Sequence, residues 1–147
     1  MKYEEALRLI KEEEAGYKTK SGAKIFAFNN EGTIPHFHYK KKGEFDTCIK
    51  FLEPRYFCHE SYQDGLNNTQ KKMLLNDLTI DIWKNLIDEW NEGRSENFVP
   101  NSFKRSIPNY RFLPSLNPST GKLNKEDRMW CLIFLRKKHL LEIQLMK

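Results

Sequence analysis

The chain has 147 residues, 31% of them charged, and a formal net charge of +5 at neutral pH. Its length suits one compact domain, and an aromatic fraction of 13% supplies enough large side chains for a hydrophobic core. Three cysteines, an odd and small number, do not make a disulfide framework. The sequence has no apolar run long enough to cross a membrane and no signal-peptide core, so we expect a cytoplasmic protein.

The excess positive charge lies at one end of the sequence. Residues 1–66 have no net charge and residues 67–99 carry −2, whereas residues 100–147 carry +7. Such a bias is typical of a surface that binds nucleic acid or an acidic partner. The alternative is that the basic segment packs beside the acidic middle and is neutralised there.

The first half of the chain predicts a helix followed by strands. Residues 2–15 have apolar positions at helical spacing, Gly16 ends that helix, and residues 18–22 form a turn. Three strands and then a fourth, shorter strand are predicted after this turn. These predicted strands are 23–28, 34–40, 45–52 and 55–59.

The strand at 45–52 has the clearest pattern. Its apolar and small residues alternate with polar ones, so Thr47 and Ile49 share one face and Cys48 and Lys50 share the other. This alternation predicts an antiparallel strand with one buried face.

Helices are predicted at 69–76 and 80–91, either as two helices or as one with a bend. An apolar stripe in the second has the spacing of one helix face, which predicts core packing. The stripe is Trp83, Leu86, Ile87 and Trp90.

The last third of the chain is predicted to contain both irregular and regular structure. Residues 94–123 contain four of the six prolines among asparagines and aromatic rings, so we expect an irregular segment that wraps over the core. Residues 124–135 follow as a buried helix. The alternation at 141–145 favours a final strand, with a continuing helix as the alternative.

Together these elements predict a single α+β domain covering residues 1–147. Residues 23–92 form a three- or four-stranded, mainly antiparallel sheet with the tryptophan-bearing helix. Residues 94–123 are the wrapping segment and residues 124–147 the basic C-terminal helix or helix and strand.

The most distinctive short motif is Ile34-Pro35-His36-Phe37-His38. On a strand His36 and His38 project from the same face, where two imidazoles can bind one divalent metal ion or one phosphate. Cys48 can join them only if the strand register allows it. The candidates for the remaining ligands are Asp46, Cys48, Cys58, His59 and Glu60.

Residues 100–111 alternate basic side chains with aromatic and amide ones. Lys104, Arg105 and Arg111 can neutralise phosphates, and Phe103 and Tyr110 can stack on unpaired bases. The same pattern suits a loop whose cations pair with Asp88, Glu89 or Glu92 of the chain itself.

No catalytic motif is present. The sequence lacks glycine-rich nucleotide loops, the zinc-protease and serine-hydrolase motifs and any Cys-x-x-Cys pair. Cys58 and His59 are adjacent, and adjacent strand residues point to opposite faces, which disfavours a cysteine nucleophile. We therefore predict no catalytic residue and favour a non-enzymatic protein.

Phe26-Ala27-Phe28-Asn29-Asn30 followed by Ile34-Pro35-His36-Phe37-His38 resembles a group of small bacterial proteins, often encoded near toxin–antitoxin loci. Their hallmark is a strand, a short Asn/Asp turn and Pro-Pro-His-Phe-His, then another strand and a helix with tryptophan. The likeness covers roughly residues 23–92, departs from the group at Ile34 and does not extend to residues 94–147. The resemblance implies a small α+β domain with an antiparallel sheet, and it gives no indication of an activity, since the biochemical role of the group is uncharacterised.

Three functions fit these observations. The leading prediction is a non-enzymatic accessory or regulatory protein whose basic C-terminal third binds a macromolecule, either nucleic acid, the most concrete partner, or an acidic protein. The second is a metal-binding domain or metal-dependent hydrolase that uses His36 and His38. The third is a structural or assembly protein of a phage or mobile element.

Overall fold

The computed structural model of the chain describes residues 16–28, 33–57 and 65–115. Within this part, five strands form an antiparallel sheet in sequence order, and two α-helices follow them. This architecture confirms the predicted α+β class. The strands are β1 (Tyr17–Lys18), β2 (Lys24–Phe26), β3 (His36–Lys41), β4 (Phe45–Lys50) and β5 (Tyr56–Phe57).

The strand β1 is absent from the sequence-based prediction, which placed a turn from residue 18 onward. Tyr17 pairs with Ile25 of β2. Two residues are too few to show an alternating pattern, so the sequence carries no signal for this strand. Gly16 precedes it at a φ of 102°, and a Cβ there would lie 3.0 Å from the Ile25 carbonyl oxygen and from Cβ of Phe26. Only glycine allows this close approach.

The turn between β3 and β4 sets the register of the central hairpin. Lys41 pairs with Phe45, and Gly43 occupies the loop between them at a φ of 80°. A three-residue hairpin loop commonly has one residue in this left-handed conformation, which glycine adopts without strain. Counting back from the turn, His38 lies directly opposite Cys48.

The two helices are separate. They are α1 (Asn68–Asp77) and α2 (Ile80–Asn91), and Leu78 between them is extended, with a ψ of 90°. The Thr79 side chain accepts a hydrogen bond from the backbone N–H of Ile82 at 3.3 Å and so caps α2. The bent-helix alternative is therefore wrong.

The predicted apolar stripe of α2 is confirmed as core. Trp83, Leu86, Ile87 and Trp90 have no exposed surface. The Trp83 ring lies 5.3 Å from the ring of Phe51 and 6.2 Å from that of Phe37, centroid to centroid. The helices therefore cover the face of the sheet that carries the alternating apolar residues.

The opposite face of β4 departs from the prediction. An antiparallel strand with one solvent face would expose Cys48 and Lys50. Instead Cys48 is wholly buried and Lys50 is 8% exposed. The prediction of a half-buried strand is wrong at these positions, since the residue pattern along one strand carries no information about what covers its polar face.

Residues 94–115 follow α2 across the helices and contain two short 3₁₀ helices, Asn101–Arg105 and Tyr110–Phe112. The indole N–H of Trp83 donates to the carbonyl oxygen of Phe103 at 2.7 Å, and that of Trp90 donates to Asn97 at 2.9 Å. Both tryptophan side chains thereby satisfy their one polar group while buried.

Other predicted elements lie outside the described residues. These are the helix at 2–15, the end of the wrapping segment at 116–123, the helix at 124–135 and the strand at 141–145. They stay predictions. Among the helices that the structure describes, none has the length and apolarity needed to cross a membrane.

Candidate metal centre

His36 and His38 lie on the same face of β3, as the motif predicts. Their ring centroids are 5.2 Å apart. His36 is 1% exposed and His38 has no exposed surface. Both imidazoles are therefore buried. Buried ring nitrogens are normally satisfied by a hydrogen bond within the protein or by a bound ligand.

Cys48 joins the two histidines. It faces His38 across the β3–β4 ladder, and its Sγ lies 3.3 Å from Nδ1 of His38. One ligand atom from each of the three residues lies within 4.8 Å of the others, and all three residues are buried. The register that the sequence left open therefore brings a thiol to the histidines.

The remaining predicted ligands are not part of this cluster as described. Asp46 lies opposite Lys40, and its carboxylate is 3.8 Å from the Lys40 ammonium group. Cys58, His59 and Glu60 lie outside the described residues, so their part in a site stays a prediction.

A backbone carbonyl fixes the tautomer of His36. Its Nδ1 lies 2.7 Å from the carbonyl oxygen of Ile34, and a carbonyl can only accept a hydrogen bond. Nδ1 must therefore carry the proton, which leaves the lone pair of the neutral ring on Nε2. Metal-binding histidines typically use one nitrogen for the metal and donate the other N–H to a carbonyl or carboxylate in this way.

Aromatic rings hold both imidazoles in place. The His38 ring stacks on Phe26 with centroids 4.8 Å apart and planes within 6° of parallel. The His36 ring packs against the indole of Trp90 at 5.2 Å. Apolar neighbours exclude water and keep the rings in one orientation, which favours a preorganised binding site.

The donor set indicates which metals would fit. Two imidazole nitrogens and one thiolate sulfur suit Zn²⁺ and other borderline or soft ions, and they suit Mg²⁺ and Ca²⁺ poorly. Bond lengths of about 2.3 Å to sulfur and about 2.0 Å to nitrogen place ligands of one tetrahedral zinc about 3.3–3.6 Å apart. The Cys48–His38 contact of 3.3 Å already has this spacing.

Two of the predicted nucleic-acid-binding residues already interact with other parts of the protein through their side chains. Lys104 forms an ion pair with Asp88 of α2, which is the self-pairing alternative that the sequence allowed. Tyr110 is wholly buried, and its ring contacts Phe37 and Trp83 at centroid distances of 5.8 and 6.2 Å. Burial raises the pKa of its hydroxyl well above the usual value. Such a ring has no face for a base, so the predicted stacking role of Tyr110 does not fit its position.

The others differ in exposure. Arg105 and Arg111 are exposed, as phosphate contacts must be, while Phe103 is half-buried and packs against the core. Phe112, which the sequence pattern did not single out, directly follows Arg111 and is 83% exposed. Both Tyr110 and Phe112 are aromatic, so the sequence alone could not decide which of them faces the solvent.

In comparisons with known proteins, no family model, no curated protein and no solved structure matches the chain. The resemblance of residues 23–92 to the Pro-Pro-His-Phe-His proteins therefore stays a prediction.

Proposed function

We propose that this protein is a metal-binding domain in which His36, His38 and Cys48 bind one transition-metal ion, with Zn²⁺ as the best fit. The observation that carries the proposal is the convergence of three buried ligand residues from two adjacent strands, with their ligand atoms within 4.8 Å of one another. The His36–Ile34 hydrogen bond supports it, because it places the proton of a neutral imidazole on Nδ1 and therefore the lone pair on Nε2, as in histidines that bind a metal through that nitrogen.

The burial of the cluster favours a structural role for the ion over catalysis. A catalytic zinc has three protein ligands and keeps one coordination position open to water and substrate, whereas a structural zinc is enclosed by four protein ligands. A structural ion here therefore needs a fourth ligand, and Cys58, His59 and Glu60 are the candidates predicted from the sequence. All three ligand residues have 1% or less of their surface exposed. An ion bound to His38 and Cys48 would tie β3 to β4, and its binding free energy would add to the stability of the fold.

The first experiment measures metal in protein purified without a polyhistidine tag. We expect close to one equivalent of zinc per chain by elemental analysis. Replacement by Co²⁺ should give the charge-transfer absorption of a thiolate–cobalt bond and the visible bands of tetrahedral coordination. A protein without bound metal that also gives no such absorption with Co²⁺ would overturn the proposal.

Variants identify the ligands. Cys48→Ser should abolish the charge-transfer band, and His36→Gln should weaken Co²⁺ binding by more than the roughly 10–100-fold that is typical of outer-shell changes. Thr47→Ser is the matched control, because Thr47 is equally buried on the same strand but points to the opposite face. A charge-transfer band that survives in Cys48→Ser would show that another thiol is the ligand.

A further inference from the structure

Beside α1 the structure has a cleft that none of the three metal-centre residues line. This cleft of about 590 Å³ opens between α1 and the 3₁₀ helix Tyr110–Phe112. Among the residues that the structure describes, the lining contains three cations, two amides, one leucine and no carboxylate. The lining residues are Asn68, Lys71, Lys72, Leu75, Asn76 and Arg111.

The central feature of this cleft is a buried ammonium group. Lys71 is 7% exposed, and its Nζ donates to the carbonyl oxygen of Leu113 at 2.7 Å and to Oγ of Ser115 at 3.0 Å. Both partners are neutral, and no carboxylate of the described residues forms an ion pair with Lys71. A buried charge without a counter-charge is costly, so an anion in the cleft would be strongly favoured.

The cleft is rigidly built. Lys71 ties the segment after Arg111 to α1, and the Ser115 hydroxyl donates to Oδ1 of Asn68 at 2.8 Å. The Asn109 side chain accepts from the backbone N–H of Arg111 at 3.1 Å and fixes the start of the 3₁₀ helix. Arg111 is therefore held on a defined backbone opposite Lys71 and Lys72.

From this arrangement we infer that the cleft binds a phosphate group of single-stranded nucleic acid, with Phe112 stacking on the neighbouring base. Lys72 and Arg111 are exposed, and within the described residues neither makes an ion pair with an acidic side chain. The volume exceeds what an isolated phosphate needs and suits a nucleotide. Phe112 directly follows Arg111 of the lining in the sequence, and 83% of its surface is exposed. Aromatic rings combined with a cationic groove are the usual arrangement for binding unpaired bases.

The cleft and the metal centre share no described residue. Of the predicted nucleic-acid residues, Arg111 lines the cleft, Phe112 takes the stacking role predicted for Tyr110, and Lys71 and Lys72 are additional cations. The adjacent lysines Lys71 and Lys72 were visible in the sequence, but only the tertiary structure brings them to Arg111, which is about 40 positions away.

The test is fluorescence anisotropy of the full chain with a labelled oligothymidine, repeated over a range of salt concentrations. Lys72→Ala and Arg111→Ala should each weaken binding severalfold and reduce the slope of log affinity against log salt by about 0.7, the value for one phosphate contact with a single strand. Phe112→Ala should weaken binding roughly 5- to 100-fold and leave that slope unchanged, because stacking involves no phosphate. Lys84→Ala, which removes an exposed lysine of α2 outside the cleft, is the control.

Each outcome either supports or overturns the binding of a single strand in this cleft. Loss of affinity in Lys72→Ala, Arg111→Ala and Phe112→Ala, with Lys84→Ala unchanged, supports the inference. An absence of oligonucleotide binding at low salt overturns it, and so do equal losses in the cleft variants and in Lys84→Ala. Inorganic phosphate or a mononucleotide that binds as tightly as the oligonucleotide would overturn the assignment to a strand.

Discussion

The thiol of Cys48 and the imidazole of His38 face each other across β3 and β4, with Sγ and Nδ1 3.3 Å apart and both side chains wholly buried. In the absence of metal this contact is a hydrogen bond within the sheet. With an ion bound, the same two atoms would be its ligands. The contact therefore links the proposed metal binding directly to the stability of the central hairpin.

Removal of the metal should destabilise the protein. At a free ion concentration of 100 times Kd, binding to the folded state contributes about 2.7 kcal/mol. For a domain of this size that corresponds to a Tm about 5–10 °C higher. We expect a chelator to lower the Tm of the untagged protein by this amount and added Zn²⁺ to restore it, as measured by differential scanning calorimetry. Unchanged thermal unfolding after verified metal removal would contradict a stabilising ion.

The same measurement distinguishes metal binding from simple packing. Cys48→Ser should unfold at one temperature with or without Zn²⁺, because the thiolate ligand is lost. Thr47→Ser should keep the full response to Zn²⁺, even if packing lowers its Tm. A normal Zn²⁺ response in Cys48→Ser would remove this cysteine from the site.

A buried carboxylate joins three separate parts of the chain. Asp77, at the end of α1, accepts hydrogen bonds from the Tyr39 hydroxyl at 2.6 Å and from the Ser21 hydroxyl at 2.5 Å. We expect Asp77→Ala to lower the free energy of unfolding by roughly 3 kcal/mol, since it leaves the Tyr39 hydroxyl buried without its acceptor. Urea unfolding measures this loss.

A double-mutant cycle provides the control. Tyr39→Phe removes the hydroxyl, so adding Asp77→Ala to it should cost less than Asp77→Ala costs alone. The expected coupling between the two positions is about 1 kcal/mol or more. Strictly additive losses would mean that this hydrogen bond contributes nothing to stability.

Alkaline pH should weaken the contact between β1 and α2. The Tyr17 hydroxyl donates to Oε1 of Glu89 at 2.9 Å, and burial together with that carboxylate raises the pKa of Tyr17 to about 12. The folded state thus keeps this proton when the unfolded chain, with a tyrosine pKa near 10, has begun to lose it. The stabilisation is complete below about pH 10 and is lost as the pH rises from about 10 to about 12.

Tyr17→Phe isolates this effect, because phenylalanine does not titrate. We expect the free energy of unfolding of the variant to fall less steeply than that of the wild type above about pH 10. Urea unfolding at a series of pH values compares the two slopes. Parallel curves for the two proteins would contradict the raised pKa.

The start of α1 depends on a reciprocal cap. The Asn67 side chain accepts from the backbone N–H of Gln70 at 2.8 Å, and the Gln70 side chain accepts from the backbone N–H of Asn67 at 3.0 Å. Asn67→Ala should cost about 1 kcal/mol of stability, whereas Asn67→Asp should cost much less because it keeps the acceptor. Chemical denaturation of the two variants checks this, and equal losses would argue against capping.

The sequence by itself determined those features that depend on local periodicity. The two-residue alternation identified the strand around Ile49, and the spacing of Trp83 and Trp90 identified a helix with one buried face. Both signals come from neighbours within a few positions, whose geometry is the same in any fold. The same-face placement of His36 and His38 follows for the same reason.

Only the tertiary structure decided which distant residues meet. The site gained Cys48 because the turn at Gly43 sets the β3–β4 register, and a shift of one residue would have sent the thiol to the other face. Tyr110 lies in the core and Phe112 is exposed because the short 3₁₀ helix docks against α1 with the Tyr110 ring beside Trp83, which buries only one of its sides. Burial and long-range pairing depend on how all the elements pack together, and the spacing of residues along a single element carries no record of that packing.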